Sequence, residues 1–398
     1  MTASGFRSVP RTVWLLGLVS LFTDLSSSIV YGLLPGFLVT QLGATYAMVG
    51  LIDFIAEGTA SFGKLFSGVL SDWLNRRKEL ALFGYGLSGL AKLLFPVAGS
   101  AGAVLVARFV DRLGKGIRGA PRDALVADVT PAEVRGTAYG LRQALDEAGT
   151  LLGPLIAIGL MWLLLDNIQA VFWVACIPAV VSLAILAFGV REERRARPPE
   201  ADGFPLRPAA MRGLGRRFWL FIAVLSILLL ARFTDAFYLL RGQELGLRQA
   251  YVPALLATTA LMTTFVTAPV GHLSDRIGRW PLLFAGFLLL AVSHGVLAAA
   301  GSVAIVFLGA ALFGLHLALT QGLLATLVAD MAPADQRGTA FGIFHFVSGV
   351  AMLGTWAAGG VWDAWGPAAM FWTAAVVTAI GLVALLPFAL RPSAEARR

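Results

Sequence analysis

The sequence predicts an all-α polytopic membrane protein of twelve transmembrane helices in two related six-helix bundles, and three observations carry that reading. Apolar residues make up 58% of the chain and charged residues 14%, a balance far from that of soluble domains. The apolar residues fall into blocks long enough to cross a bilayer core of about 30 Å, which takes roughly 20 residues per helix. The chain also repeats itself. "LVADVTPAEVRGTAYG" (125–140) returns as "LVADMAPADQRGTAFG" (327–342), eleven of sixteen positions identical at an offset of 202.

Reading the apolar blocks between their punctuation gives spans at 12–41, 46–72, 79–99, 102–129, 135–164, 168–190, 218–246, 250–275, 280–300, 303–331, 337–362 and 366–390. Arg7 and Arg11 precede the first, as in a secretory leader. Asp24 interrupts that run and no small-residue cleavage pattern follows, so it reads as a retained helix. The single cysteine, Cys176, cannot form an internal disulfide and reads as a core or lipid-facing residue.

The net charge of +8 follows topology rather than nucleic acid. Arg and Lys collect at Arg7 and Arg11, at Arg76, Arg77 and Lys78, across Arg191 to Arg217, at Arg276 and Arg279, and at Arg391, Arg397 and Arg398. The opposite connections, around Gly43, Ser100, Asp166 and Gly301, carry almost none. The positive-inside rule then puts both termini and the central loop in the cytoplasm of a cell with this chain in its inner membrane. That loop, residues 191–217, is rich in Arg, Pro and Gly and reads as a tether between an N-terminal bundle (1–190) and a C-terminal bundle (218–398). Contact of the loop with lipid headgroups is a second reading.

A second echo supports duplication: "GVLSDWLNRR" from Gly68 recurs as "GHLSDRIGRW" from Gly271, at an offset of 203. "FTD" occurs at Phe22 to Asp24 and again at Phe233 to Asp235, but at 211 it needs a gap and counts for little. Gly68, Leu70, Asp72 and Arg76 carry a Gly-x-Leu-x-Asp-x3-Arg pattern between spans 2 and 3, and Gly271, Leu273, Asp275 and Arg279 carry it between spans 8 and 9. With these motifs the whole chain resembles the major facilitator superfamily, in particular its twelve-helix drug or metabolite:proton antiporters. In physical terms Gly permits close helix approach, while Asp at a helix end and Arg in a tight turn can form charge-assisted bonds that hold one side shut. Anchoring by positive charge alone would explain the arginines but not Asp72 and Asp275.

Span 5 contains Gly140, Gly149, Gly153 and Pro154, a spacing that resembles the superfamily's antiporter signature. Gly149 and Gly153 make a small-xxx-small face for close packing and Pro154 bends the helix. The resemblance implies export by antiport. The second-half copy keeps Gly342 but lacks the Gly-Pro pair.

Span 4 holds "RFVDRLGKGIRGAPRD" (108–123), with seven charged side chains in sixteen positions. At about 100° per residue, Arg108, Asp111, Arg112, Lys115, Arg118, Arg122 and Asp123 all occupy one face of about 140°. A solvated loop has no reason to keep such a stripe. A membrane helix must turn it away from lipid, where a charge at the bilayer centre costs about 2.5 kcal/mol or more, so the stripe should line a wet cavity. Arg112, Lys115 and Gly116 resemble the superfamily's Arg-x-x-polar-Gly motif, whose Arg is implicated in proton coupling. Arg118 stands where that motif has a small residue, and the extra cation argues against a simple pocket for hydrophobic drugs.

Neighbouring spans supply partners. Asp24, Ser27, Ser28 and Tyr31 share a face of span 1; Asp53, Glu57 and Lys64 share a face of span 2; Lys92 lies on span 3; Arg142, Asp146 and Glu147 lie on span 5. Lys64, Lys92 and Asp53 read first as buried ion pairs. For Asp24, Glu57, Asp146 and Glu147 that reading stands level with another, a carboxylate trading a proton against a bound ligand. In the second half Asp235 and Arg241 lie inside span 7 and are expected to face the cavity opposite span 4. His272, His294, His316 and His345 sit on or beside four different spans without metal-ligand spacing, so they read as satisfied intramembrane histidines and no metal is expected. His316 and His345 stay as candidate proton or ligand groups.

These features exclude several function classes. No phosphate-cradling Gly-x4-Gly-Lys-Ser/Thr loop is present, since "GKGIRG" (114–119) lacks the pattern. No soluble domain is long enough for an enzyme's active site, and no cofactor is expected. The expected activity is proton-coupled export of a small organic molecule by alternating access, with lipid, protons and substrate as partners, no nucleic acid, and a monomer as the default. The alternatives are transport of an anionic metabolite, siderophore or metal chelate, and export of a divalent metal cation.

Overall fold

The computed structural model describes residues 9–74, 76–131, 134–190, 213–333 and 336–389. Most of the central tether and the side chains of Asp72 and Asp275 lie outside the described residues. The described chain is helical with no strand. Twelve helices run through it: α1 (Arg11–Tyr31, continued by Leu34–Gly36 and Phe37–Gln41), α2 (Tyr46–Leu74), α3 (Arg77–Leu94), α4 (Ala101–Val129), α5 (Arg135–Leu163) and α6 (Ile168–Ala184, continued by Ile185–Gly189). After the tether come α7 (Arg216–Leu230 and Ala236–Glu244), α8 (Pro253–Ile277), α9 (Arg279–Ala298), α10 (Val303–Met331), α11 (Arg337–Ala351 and on through 353–365) and α12 (367–389). Gly366, at φ +82°, separates the last two; this left-handed conformation suits glycine and stops α11.

Seven stretches are long and apolar enough to cross a membrane unaided, and the last of them contains both α11 and α12. The ionisable side chains of α2, α3 and α4 keep them out of that group, and α7 is interrupted between its two segments. Helix ends follow local chemistry. Ser100 accepts a hydrogen bond from the Ala103 amide at the start of α4, and Asn167 accepts one from Ala170 at the start of α6, each satisfying a donor the helix leaves open.

The described residues within Met1–Ala44, Ile55–Phe204 and Gln249–Ala257 form one compact unit, and those within Thr45–Phe54, Pro205–Arg248 and Thr258–Arg398 form a second. The beginning of α2 therefore belongs to the second unit and the beginning of α8 to the first. The repeat shows in the helix boundaries themselves: α3, α4 and α5 start at Arg77, Ala101 and Arg135, and α9, α10 and α11 start 202 residues later at Arg279, Val303 and Arg337.

Glycines set the close helix contacts of the first unit. On α2 and α4, Gly63 and Gly116 meet so closely that a Cβ on either would lie 2.8 Å from the other's Cα. Gly84 of α3 and Gly114 of α4 make a similar contact. Gly149 of α5 lies against the backbone of Leu21, and Gly153 lies against Leu25 and Ser28, all on α1. Gly140 and Gly271 have open space where a Cβ would sit, so neither acts by close packing. Outward faces are apolar, as a lipid solvent requires: Trp173, Ile177 and Val180 of α6 are exposed, while Phe172, Cys176 and Ala179 are buried. The Cys176 thiol points at the carbonyls of Lys92 and Phe172.

In the second unit Asp363 accepts hydrogen bonds from the amides of Tyr46 and Ala47 at 3.0 and 2.8 Å, capping the first turn of α2. The Tyr46 ring stacks on Trp362 at 4.6 Å, and Tyr46 and Trp362 both donate to Glu244. Gly149→Val should force α5 away from α1 at a cost of about 1–3 kcal/mol. The expected readout is a lower unfolding temperature in detergent, with Gly140→Val unchanged as the control.

Candidate functional site

The first unit holds a layered network of charge built on the polar face of α4. At one level Lys92 of α3 pairs with Asp111 at 3.1 Å, both side chains almost wholly buried. The Tyr31 hydroxyl of α1 donates to Asp111 as well. The Tyr31 ring is itself a platform for cations, with the Arg108 and Arg112 guanidinium groups 4.2 and 4.9 Å from its centroid. Arg112 also pairs with Glu57 of α2 at 2.6 Å. The Gly63–Gly116 contact brings α2 and α4 together near this pair, so small residues and the ion pair act on one seam.

A cavity of about 250 Å³ opens at the next level of the same unit. From α1 it takes Ser20, Thr23 and Asp24; from α2, Lys64; from α3, Tyr85. Lys115, Arg118, Gly119 and Arg122 line it from α4, and Arg142, Gln143 and Asp146 from α5. Arg118 donates to Ser88 and lies over the Tyr85 ring at 4.5 Å. Arg122 donates to Ser20 and to Asp123, with Asp146 at 3.7 Å. The carboxyl groups of Asp24 and Asp146 lie within hydrogen-bonding reach of each other. Two carboxyl groups so placed can hold one proton between them.

The predicted site residues therefore fall into separate groups. Arg108, Asp111, Arg112 and Glu57 form the closed network, while Lys115, Arg118, Arg142, Asp24 and Asp146 share the cavity. Glu147 is outside its lining and accepts from Gln143 at 2.9 Å. Asp53 belongs to the second unit, where it accepts from Thr234 at 2.6 Å. In that unit Arg241 is spent on Glu244 and on the carbonyl of Ala300, in the connection between α9 and α10. Asp235 sits at the break in α7 and hydrogen-bonds Tyr238.

Of the histidines, His316 contacts the Gly286 carbonyl through Nδ1 at 2.8 Å and is wholly buried. His294 is stacked on Phe233, His345 packs near Phe344, and the side chain of His272 lies outside the described residues.

Between α3 and α4, Arg77 pairs with Asp128, and between α9 and α10 Arg279 pairs with Asp330. The two pairs are 202 residues apart at both members. Arg76, which the motif spacing selects, is exposed and bonds Glu79 instead. The 203-residue offset of the loop motif hid this equivalence; aligning on Asp128 and Asp330 would have selected Arg77. Tyr85 and Ser88 were also missed, although with Lys92 they make a polar i, i+3, i+7 face on α3.

The profile of the Major Facilitator Superfamily matches residues 16–344 and 236–398. The chain belongs to this superfamily. Within it, an uncharacterised MFS-type transporter of Methanocaldococcus jannaschii is 29% identical, over 87% of each chain. A multidrug resistance protein of Proteus mirabilis, MdtH, is 26% identical over 79% of this chain and 77% of its own. The crystal structure of a nucleoside transporter, NupG, superposes with a TM-score of 0.80 at 12% identity, covering 96% of this chain and all of the other, which establishes the shared fold. Membership makes this a multi-pass membrane transporter.

Lys92→Met should leave Asp111 as an unpaired buried charge and cost about 3–5 kcal/mol. Denaturation in detergent should show that loss, and the double variant Lys92→Met, Asp111→Leu should recover most of it.

Proposed function

We propose that the chain is a proton-coupled exporter that exchanges a small organic molecule for protons by alternating access. The observation that carries this reading is the Asp24–Asp146 carboxyl pair in a cavity shared with Lys115, Arg118, Arg122 and Arg142. A ligand that bonds these carboxylates, or places positive charge beside them, favours the ionised pair, whereas a proton closes the pair on itself. Ligand and proton then compete for one electrostatic environment, which is the requirement of antiport. Arg112, fixed by Glu57 and Tyr31, is the rigid end of the same polar face. Export is supported by the Gly149, Gly153 and Pro154 seam on α1, and by the multidrug resistance named for the Proteus relative.

The paired positions Arg77–Asp128 and Arg279–Asp330, with Asp72 and Asp275 beside them in sequence, are the proposed gate elements, one set per repeat. The distribution of Arg and Lys supports an inner-membrane protein with both termini cytoplasmic. Substrate, protons and lipid are its proposed partners, with a monomer as the working unit.

Proteoliposomes loaded with a pH-sensitive dye test the coupling when challenged with organic acids, bases and lipophilic cations. Movement of at least one compound should be accompanied by opposite proton flux, and Arg112→Ala should abolish it. Compound movement indifferent to an imposed pH gradient would overturn the proposal.

A further inference from the structure

Resting on the transporter reading, we propose that the cavity between α1, α4 and α5 binds the oxyanion head of an organic anion, a carboxylate or a phosphate. Five cations line the space, Lys64, Lys115, Arg118, Arg122 and Arg142, against two carboxyl groups, Asp24 and Asp146. The cations also differ in how far the protein satisfies them. Arg118 and Arg122 have hydrogen-bond partners. Arg142 is 8% exposed, yet its Nε and Nη1 make no hydrogen bond, and its nearest carboxylate oxygens lie at 3.8 and 3.9 Å.

A second group points the same way. The Tyr85 hydroxyl is buried at the cavity and has no hydrogen-bond partner among the described residues. Leaving donors unsatisfied in a partly dry space is costly. An oxyanion seated there supplies both the countercharge for Arg142 and Lys115 and an acceptor for the Tyr85 hydroxyl. Guanidinium groups suit this task because their planar donors match carboxylate and phosphate oxygens. A lipophilic cation would meet an electrostatic barrier in the same place.

Thermal unfolding of the purified full chain in detergent tests the class with phthalate and phenyl phosphate as oxyanions. Phthalamide and benzyl alcohol serve as uncharged counterparts, and tetraphenylphosphonium as a lipophilic cation. Saturable stabilisation by at least one oxyanion, absent with the uncharged compounds, is expected. Arg142→Gln should raise the midpoint concentration about tenfold, the loss of one charge-assisted contact. Lys115→Gln should do the same while leaving the ligand-free protein at least as stable as the parent, a combination that general unfolding would not give.

No stabilisation by either oxyanion, equal stabilisation by the uncharged compounds, or an Arg142→Gln protein indistinguishable from the parent would overturn the assignment. Stabilisation by tetraphenylphosphonium alone would overturn the anion class and leave the exporter reading intact. Oxyanion transport in the dye-loaded proteoliposomes without opposite proton flux would support the anion class and sink the exchange, since an anion among these cations favours the protonated Asp24–Asp146 pair.

Discussion

Charge on α4 cannot face lipid, and the first unit is organised around that constraint. An ionised group at the bilayer centre costs about 2.5 kcal/mol or more, and the polar face of this helix carries seven. Each must meet a partner or water. Lys92 and Glu57 answer Asp111 and Arg112 from two neighbouring helices, and Tyr31 adds a hydroxyl and an aromatic face from a third. Such pairing is feasible only where backbones come close, which is why Gly63, Gly84, Gly114 and Gly116 occupy the contacts. The cavity is lined by the next members of the stripe, Lys115, Arg118 and Arg122.

The two repeats share a frame but divide the chemistry unequally. Helix starts and the Arg–Asp pairs between consecutive helices recur at one offset, so both repeats keep the same architecture. At that offset the charged positions of α4 correspond to Ala310, Phe313, Gly314, Leu317, Thr320, Leu324 and Ala325 of α10. None of these is ionisable. In the second unit Thr259 and Thr263 instead reach the carbonyls of Ala310 and Gly314. Duplication supplied the scaffold, and divergence concentrated the charge in one copy.

Much of this was legible in the sequence because membranes impose strong rules. Twelve apolar blocks and a repeat at a fixed offset leave few alternative folds, and helical periodicity alone put the α4 charges on one face. The partition of that face was not legible. One-dimensional periodicity cannot tell that Asp111 looks toward α3 while Arg122 looks toward α1 and α5, since about 100° per residue separates faces but not neighbours. Arg241 shows a related limit: its place inside an apolar span does not name its partners, and its long side chain reaches the loop carbonyl of Ala300. Arg77 was masked by its neighbour Arg76, because adjacent cations are indistinguishable until a partner selects one.

The Lys92–Asp111 and Glu57–Arg112 pairs also bear on how the chain enters the bilayer. Synthesis runs from the N-terminus, so α1, α2 and α3 are made before α4. Partners for the first part of the stripe are therefore already waiting when α4 emerges. Arg122 has a different timetable: Asp146 belongs to α5, which is made later. Until α5 arrives, Arg122 has Ser20 of α1 and its own neighbour Asp123 as partners. The polar stripe thus completes its contacts in the order in which its neighbouring helices are made.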